Sequence, residues 1–300
     1  MTMTAASIES AALRKQPEMQ PKWLVVYNCV HLGLQNCLSL LNKDLQVDAI
    51  DFGSFERNFA DYGGKLDSYD LIVTAPHFVQ NPCVDFNTVG KLVTLPLTAF
   101  EAYHPDLCYI FVDGQVLRGP MFDYHSKIIT AAYRRGVPEH QVKALFNAHN
   151  FERFGYFGIW QASKRQYLDS YAASGLDLSD CFAGWSREGV FMHSVNHPTI
   201  RVVNDIARKL LAIGGLQATQ SGFLPHDNLK NAPVFPVYDE IAEALSVRGS
   251  YLFKVHNQYR FLDLDQFIAG SYEVLSKYPP EKIQVFPMYQ RAMDHIEASL

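Results

Sequence analysis

The sequence predicts an α/β protein: a mainly parallel sheet with flanking helices, interrupted by a helical insertion. Three observations carry that reading. Short apolar, β-branched runs recur up to residue 112, each bounded by Gly, Pro or Asp, as buried strands are. The first of them passes directly into an amphipathic helix, the unit from which parallel sheets are wound. From about residue 122 the texture changes to helical periodicity punctuated by glycine.

Trp23–Tyr27 is the first strand, and the helix after it runs from His31 to Asn42, with Leu34, Cys37, Leu38 and Leu41 at helical spacing. Val47–Phe52 forms the second strand, closed by Gly53, and Tyr69–Ala75 the third, ending at Pro76-His77. Lys91–Leu97 is a shorter fourth, and Leu107–Val112 a fifth, stopped by Asp113-Gly114. Asp123–Arg135 then reads as a helix stopped by Gly136, Pro138 opens another, and a third runs from about Phe157 to Ala173. Residues 122–185 are therefore expected to be a helical lobe inserted into one domain spanning 21–300, behind a loose leader over 1–20. Gly189–Val195 returns as a strand, and Pro198 or Thr199 starts a helix over Ile200–Ile213 ended by Gly214-Gly215. Helices near Tyr238–Ser246 and Leu264–Tyr278 and a C-terminal one from about Pro287 complete the chain.

Composition narrows the function. With 48% hydrophobic and 19% charged residues the chain is an ordinary globular protein, and its net charge of −5 argues against general nucleic-acid binding. Its five cysteines include no Cys-x-x-Cys pair, so neither a zinc site nor a disulfide framework is expected, and a reducing cytoplasm fits. No apolar run reaches the roughly 18 residues of a membrane span. Gly-x-Gly-x-x-Gly, Gly-x-x-x-x-Gly-Lys and Gly-x-Ser-x-Gly are all missing, which disfavours a dinucleotide fold, a P-loop and a serine-esterase elbow.

Two strand-to-helix junctions hold the chemistry. Asn28-Cys29-Val30-His31 sits where a parallel strand ends and a helix begins, the place where open α/β sheets bind ligands. Cys29 there is either a small buried hydrophobe or a nucleophile favoured by the helix dipole, with Asn28 and His31 beside it. His193-Ser-Val-Asn-His197-Pro198 is the second junction. There a histidine serves as general base with Asn196 as ring support or helix cap, or the motif is an ordinary cap with a surface histidine. Lys127, Arg134 and Arg135 line a basic helical face able to grip phosphates, unless it is simply solvated. His77 ends the third strand and Asp113 the fifth, both toward the crevice, while His104 points to the opposite edge. Pro198 breaks up the His193/His197 spacing, so no metal is expected.

These residues resemble a known family. Asn28-Cys29 after an apolar strand, Tyr69-Asp-Leu-Ile-Val, Tyr124-His-Ser-Lys-Ile-Ile with Arg135-Gly, and Asn196-His197-Pro198 follow in order the pattern of the WcbI-type polysaccharide biosynthesis proteins. Tyr27 departs from it, standing in place of Gly, as does Val30-His31 in place of Gln. The resemblance implies an esterase-like three-layer core, binding of coenzyme A or acetyl-coenzyme A, and transfer of acetyl to a capsular sugar or glycan acceptor. It further implies Cys29, His197, Asn28 and His31 as the catalytic group, with Lys127, Arg134, Arg135, His77 and Asn196 on the cofactor. Direct attack by the acceptor is favoured over a Cys29 acyl enzyme, because exchange between two thiols gains little energy. An esterase-like hydrolase and a non-catalytic coenzyme A- or nucleotide-binding protein of a glycan assembly pathway are the alternatives. Self-association is left open.

Overall fold

The computed structural model describes residues 20–81, 86 and 91–300. The expected leader and Cys83 lie outside the described residues. Strands β1 (Lys22–Tyr27), β2 (Gln46–Asp51), β3 (Leu71–Thr74) and β4 (Leu92–Thr94) form one sheet in the order β2-β1-β3-β4. Every neighbouring pair is parallel, with Val25 opposite Ala49 on one side and Val73 on the other. Seven helices of eight or more residues are described: α1 (His31–Leu41), α2 (Lys127–Arg134), α3 (Trp160–Ala172), α4 (Ser179–Glu188), α5 (Ile200–Ile213), α6 (Leu264–Leu275) and α7 (Gln290–Ser299).

The period of two along β1 makes this a three-layer structure. Trp23, Val25 and Tyr27 enter the main core with residues of α1 and α5, whereas Leu24 and Val26 face a smaller cluster with Phe55, Leu66, Ile72 and Phe78. Both faces are covered, which is why these strands read as unbroken apolar runs. A β-carbon on Gly33 would already touch Ile200 and Val203 at 3.6 Å, so glycine lets α1 lie close against α5. At the far end of α5, Gly214 leaves room for the indole of Trp23, which a β-carbon would meet at 2.1 Å.

Two expected strands behave differently. Leu107–Val112 splits into Leu107–Cys108, antiparallel to His125–Ser126, and Ile110–Val112, antiparallel to Gln115–Val116 and Gln284–Val285. Asp113 (φ 50°) turns the chain back sharply and pairs with Lys282 at 2.6 Å instead of facing a crevice. Gly189–Val195 is buried over most of its length yet joins no sheet: Met192 and Pro198 form an isolated bridge, and the His193 N–H donates to the His197 carbonyl at 2.6 Å. Apolar burial produced a strand-like pattern there without a partner strand to use it. The helix expected from Asp123 starts at Lys127, because Ser126 caps it by accepting from the Ile129 N–H at 3.1 Å.

Candidate active site

At the carboxyl end of β1 the chain turns through Asn28, Cys29 and Val30 into α1. Asn28 builds that turn: its Oδ1 accepts from the Val30 N–H at 3.1 Å, and its carbonyl accepts from the His31 N–H at 3.0 Å. The His31 ring Nδ1 lies 2.8 Å from the same carbonyl, so His31 braces the turn instead of reaching the thiol. Cys29 is left exposed at the apex.

The second half of the site comes from the Met192–Thr199 loop. His193 donating to His197 folds it into a tight bend, and the Thr199 N–H closes it by donating to the Phe191 carbonyl at 2.9 Å. The bend brings His197 Nε2 to 3.0 Å from Cys29 Sγ, across 168 residues of sequence. Tyr124 Oη lies 3.4 Å from the same nitrogen. Asn196 supports this arrangement, accepting from Tyr124 at 2.6 Å and from Ser194 at 3.1 Å and donating to Tyr109 at 2.9 Å.

Electrostatics fix the resting protonation. The protein packed around the crevice desolvates the Cys29 thiol, pushing it up to about 11 although the residue as a whole is exposed. Burial also drives His197 down to about 4; His193 and His256 add to the fall and Asp227 opposes it. At neutral pH the pair is thus a thiol beside a neutral imidazole, not a thiolate–imidazolium pair. Burial likewise keeps the Tyr124 phenol protonated.

Asp227 had no local signal in the sequence. Its Oδ2 sits 2.8 Å from His193 Nε2 and accepts from the Ile200 N–H at 3.1 Å, so one carboxylate holds the loop and the start of α5 together. Burial alone would raise its pKa, but the bond from His193 and the Ile200 N–H outweigh it and hold the carboxyl low. Asp227 Oδ1 and His197 Nδ1 are both buried and find no hydrogen-bond partner among the described residues.

The family model described as polysaccharide biosynthesis enzyme WcbI matches residues 22–219, a span holding both Cys29 and His197. The chain belongs to the WcbI family of polysaccharide biosynthesis enzymes. A solved structure of WcbI, described as the native protein without a disulfide bond between coenzyme A and a cysteine, is similar to it with a TM-score of 0.64. The two are 15% identical, over 93% of this chain and 95% of that one, a likeness that speaks for the fold. No curated protein matches the sequence.

Against this WcbI frame the expected cofactor residues separate. Tyr27, standing in place of Gly, is buried, its hydroxyl donating to the Pro96 carbonyl and its ring 6.0 Å from Phe52. His77 is exposed after β3, edge-on to Phe52 at 5.3 Å, and Asn196 lies in the network just described. Lys127 is a correction: it is 3% exposed, and its ammonium donates to the Pro105 carbonyl at 2.6 Å over the ring of Tyr289. Lys127 to Ala132 of α2 are buried, so Lys127 does not share a phosphate-gripping face with Arg134 and Arg135. Arg134 pairs with Glu297 at 3.0 Å and lines, with Arg135, Glu281 and Glu297, a separate surface cavity that includes neither Cys29 nor His197. Among the described residues no helix is long and apolar enough to cross a membrane.

Proposed function

We propose that this chain moves an acetyl group from acetyl-coenzyme A to a hydroxyl of a sugar or polysaccharide precursor, and that Cys29 carries the group between them. The observation behind this is the 3.0 Å contact between the Cys29 sulfur and His197 Nε2. A nucleophile in hydrogen-bond reach of a base is the arrangement from which covalent catalysis starts. The family's role in polysaccharide biosynthesis supports a glycan acceptor, and the coenzyme A described with the WcbI structure supports the donor. That description concerns a disulfide between coenzyme A and a cysteine, a contact that Cys29, open to the crevice, is free to make.

Acetyl-coenzyme A supplies the acetyl group as an activated thioester. His197, neutral near pH 7, accepts the Cys29 proton as the sulfur attacks and returns it to the departing thiol. In the second half-reaction His197 takes the proton of the acceptor hydroxyl while that oxygen attacks the carbonyl carbon of the Cys29 thioester; the carbon–sulfur bond breaks and His197 returns the proton to Cys29. Asn28 keeps its side-chain NH2 free for the developing oxyanion, since its Oδ1 is tied to the turn. The resting contact favours this covalent route over direct attack, because the thiol already occupies the place at His197 Nε2 that an acceptor hydroxyl would need.

Mass spectrometry of the intact protein after incubation with acetyl-coenzyme A alone tests the proposal. One added acetyl group, located on the peptide holding Cys29 and released by a sugar acceptor, is the expected result. Turnover with no acylation of Cys29, and full activity in Cys29→Ala, would restore the direct route. Hydrolysis of aryl esters with no use of the thioester would make the protein a hydrolase.

A further inference from the structure

A cavity of about 770 Å³ opens on the other side of the His197 loop. Its wall includes Met192, His193 and Thr199, so a single turn of chain separates it from the Cys29–His197 contact. Arg187, Lys230 and Arg248 stand around its exposed rim, and none of the three makes an ion pair or a side-chain hydrogen bond among the described residues. The carboxylate on the same wall, Glu188, is already bonded to Arg201 at 3.1 Å. In a chain of net charge −5, three cations against one paired carboxylate on one opening are a local reversal of sign, with Lys230 also helping to hold Asp227 low. The cavity beside Arg134 contrasts with it, since there two arginines face Glu281 and Glu297 and the charges balance.

The lining also includes apolar side chains, Val190, Val234 and Val247 among them. Apolar side chains and three cations lining one cavity suit an organic phosphate, whose carbon part packs on the valines while its oxygens meet the guanidinium and ammonium groups. We infer that this cavity binds the phosphorylated end of a substrate, with Arg187, Lys230 and Arg248 as its anion contacts. The inference rests on the acyl-transfer reading for its setting, and it replaces the anion role expected of Lys127 and Arg134. Two sources share the chemistry: the adenosine bisphosphate portion of coenzyme A and the diphosphate of a nucleotide-activated sugar.

Calorimetric titration of the full chain with coenzyme A, adenosine bisphosphate and uridine diphosphate tests this, in the wild type and in Lys230→Ala/Arg248→Ala. Binding of one of these ligands should weaken about tenfold for each cation removed, and should weaken further with added salt. Adenosine bisphosphate as the sensitive ligand assigns the cavity to the donor, uridine diphosphate to the acceptor. Because Cys29 is untouched, its alkylation by iodoacetamide should proceed at the wild-type rate in the variant, which shows that the fold is intact. Equal affinity of wild type and variant for every ligand overturns the inference, whether or not Cys29 is acetylated. Charge-dependent ligand binding with neither acetylation of Cys29 nor turnover of the thioester would instead keep the cavity assignment and remove the acyl-transfer reading.

Discussion

The two halves of the site are built by different means. Cys29 is delivered by regular structure: β1 pairs on both sides, α1 follows within three residues, and backbone hydrogen bonds set the turn. His197 is delivered by a loop with no strand beneath it, held by side chains from Tyr109, Tyr124, Ser194, Asn196 and Asp227. Placing a nucleophile on a sheet makes its position insensitive to most single residues. Placing the base on a polar network concentrates the cost of error in a few of them.

That contrast can be broken at several points. Acid is expected to act most strongly, and on one half only. Burial holds His104 down to about 3 and both His125 and His197 down to about 4, against an ordinary value of 6.5. A depressed histidine contributes stability that is complete above its unfolded pKa and is lost as pH falls through the folded one. Stability should therefore drop by several kcal/mol between about pH 6.5 and pH 4. Amide exchange at about pH 5 should rise around residues 104–125 and 191–199 before it rises in β1. Equal loss of protection in both halves would contradict the contrast.

Asp227→Ala follows in size, since it strands a buried imidazole and frees the first N–H of α5; about 3–5 kcal/mol of unfolding free energy should be lost in denaturant melts. His197→Ala should lower acetyl transfer at least ~100-fold while leaving the melting temperature nearly unchanged. Transfer at the wild-type rate would remove its role as base. On the regular half, Gly214→Ala forces a β-carbon against Trp23 and should cost about 1–3 kcal/mol, read in the same melts. Asn28→Ala should have the smallest effect on stability, about 1 kcal/mol, because the strand and helix on either side hold the turn.

The same division separates what the sequence made legible from what it concealed. The parallel sheet, α1 and α5 follow from local periodicity, since each buries its own apolar face and hydrophobic spacing reports that directly. Asn28-Cys29 and Asn196-His197 were visible as chemistry at junctions. The strand expected over Gly189–Val195 was not a strand, because a buried apolar run looks the same whether its hydrogen bonds go to a sheet or to a bend. Lys127 misled for a related reason: helical spacing shows which residues share a face, not whether a neighbouring carbonyl such as that of Pro105 waits to take the charge. Asp227 lies 34 residues from His193 in a stretch without periodicity, and its role exists only once the chain has folded.

The match to the family model ends at residue 219, eight positions short of that carboxylate. A protein cut at the boundary would keep sulfur and imidazole yet lose the anchor that fixes the histidine loop to its helix. Shuffling this segment into another scaffold would for that reason transplant the reactive groups without the geometry that makes them neighbours. Whatever new tail is joined there must bring back one acidic side chain at the right spot.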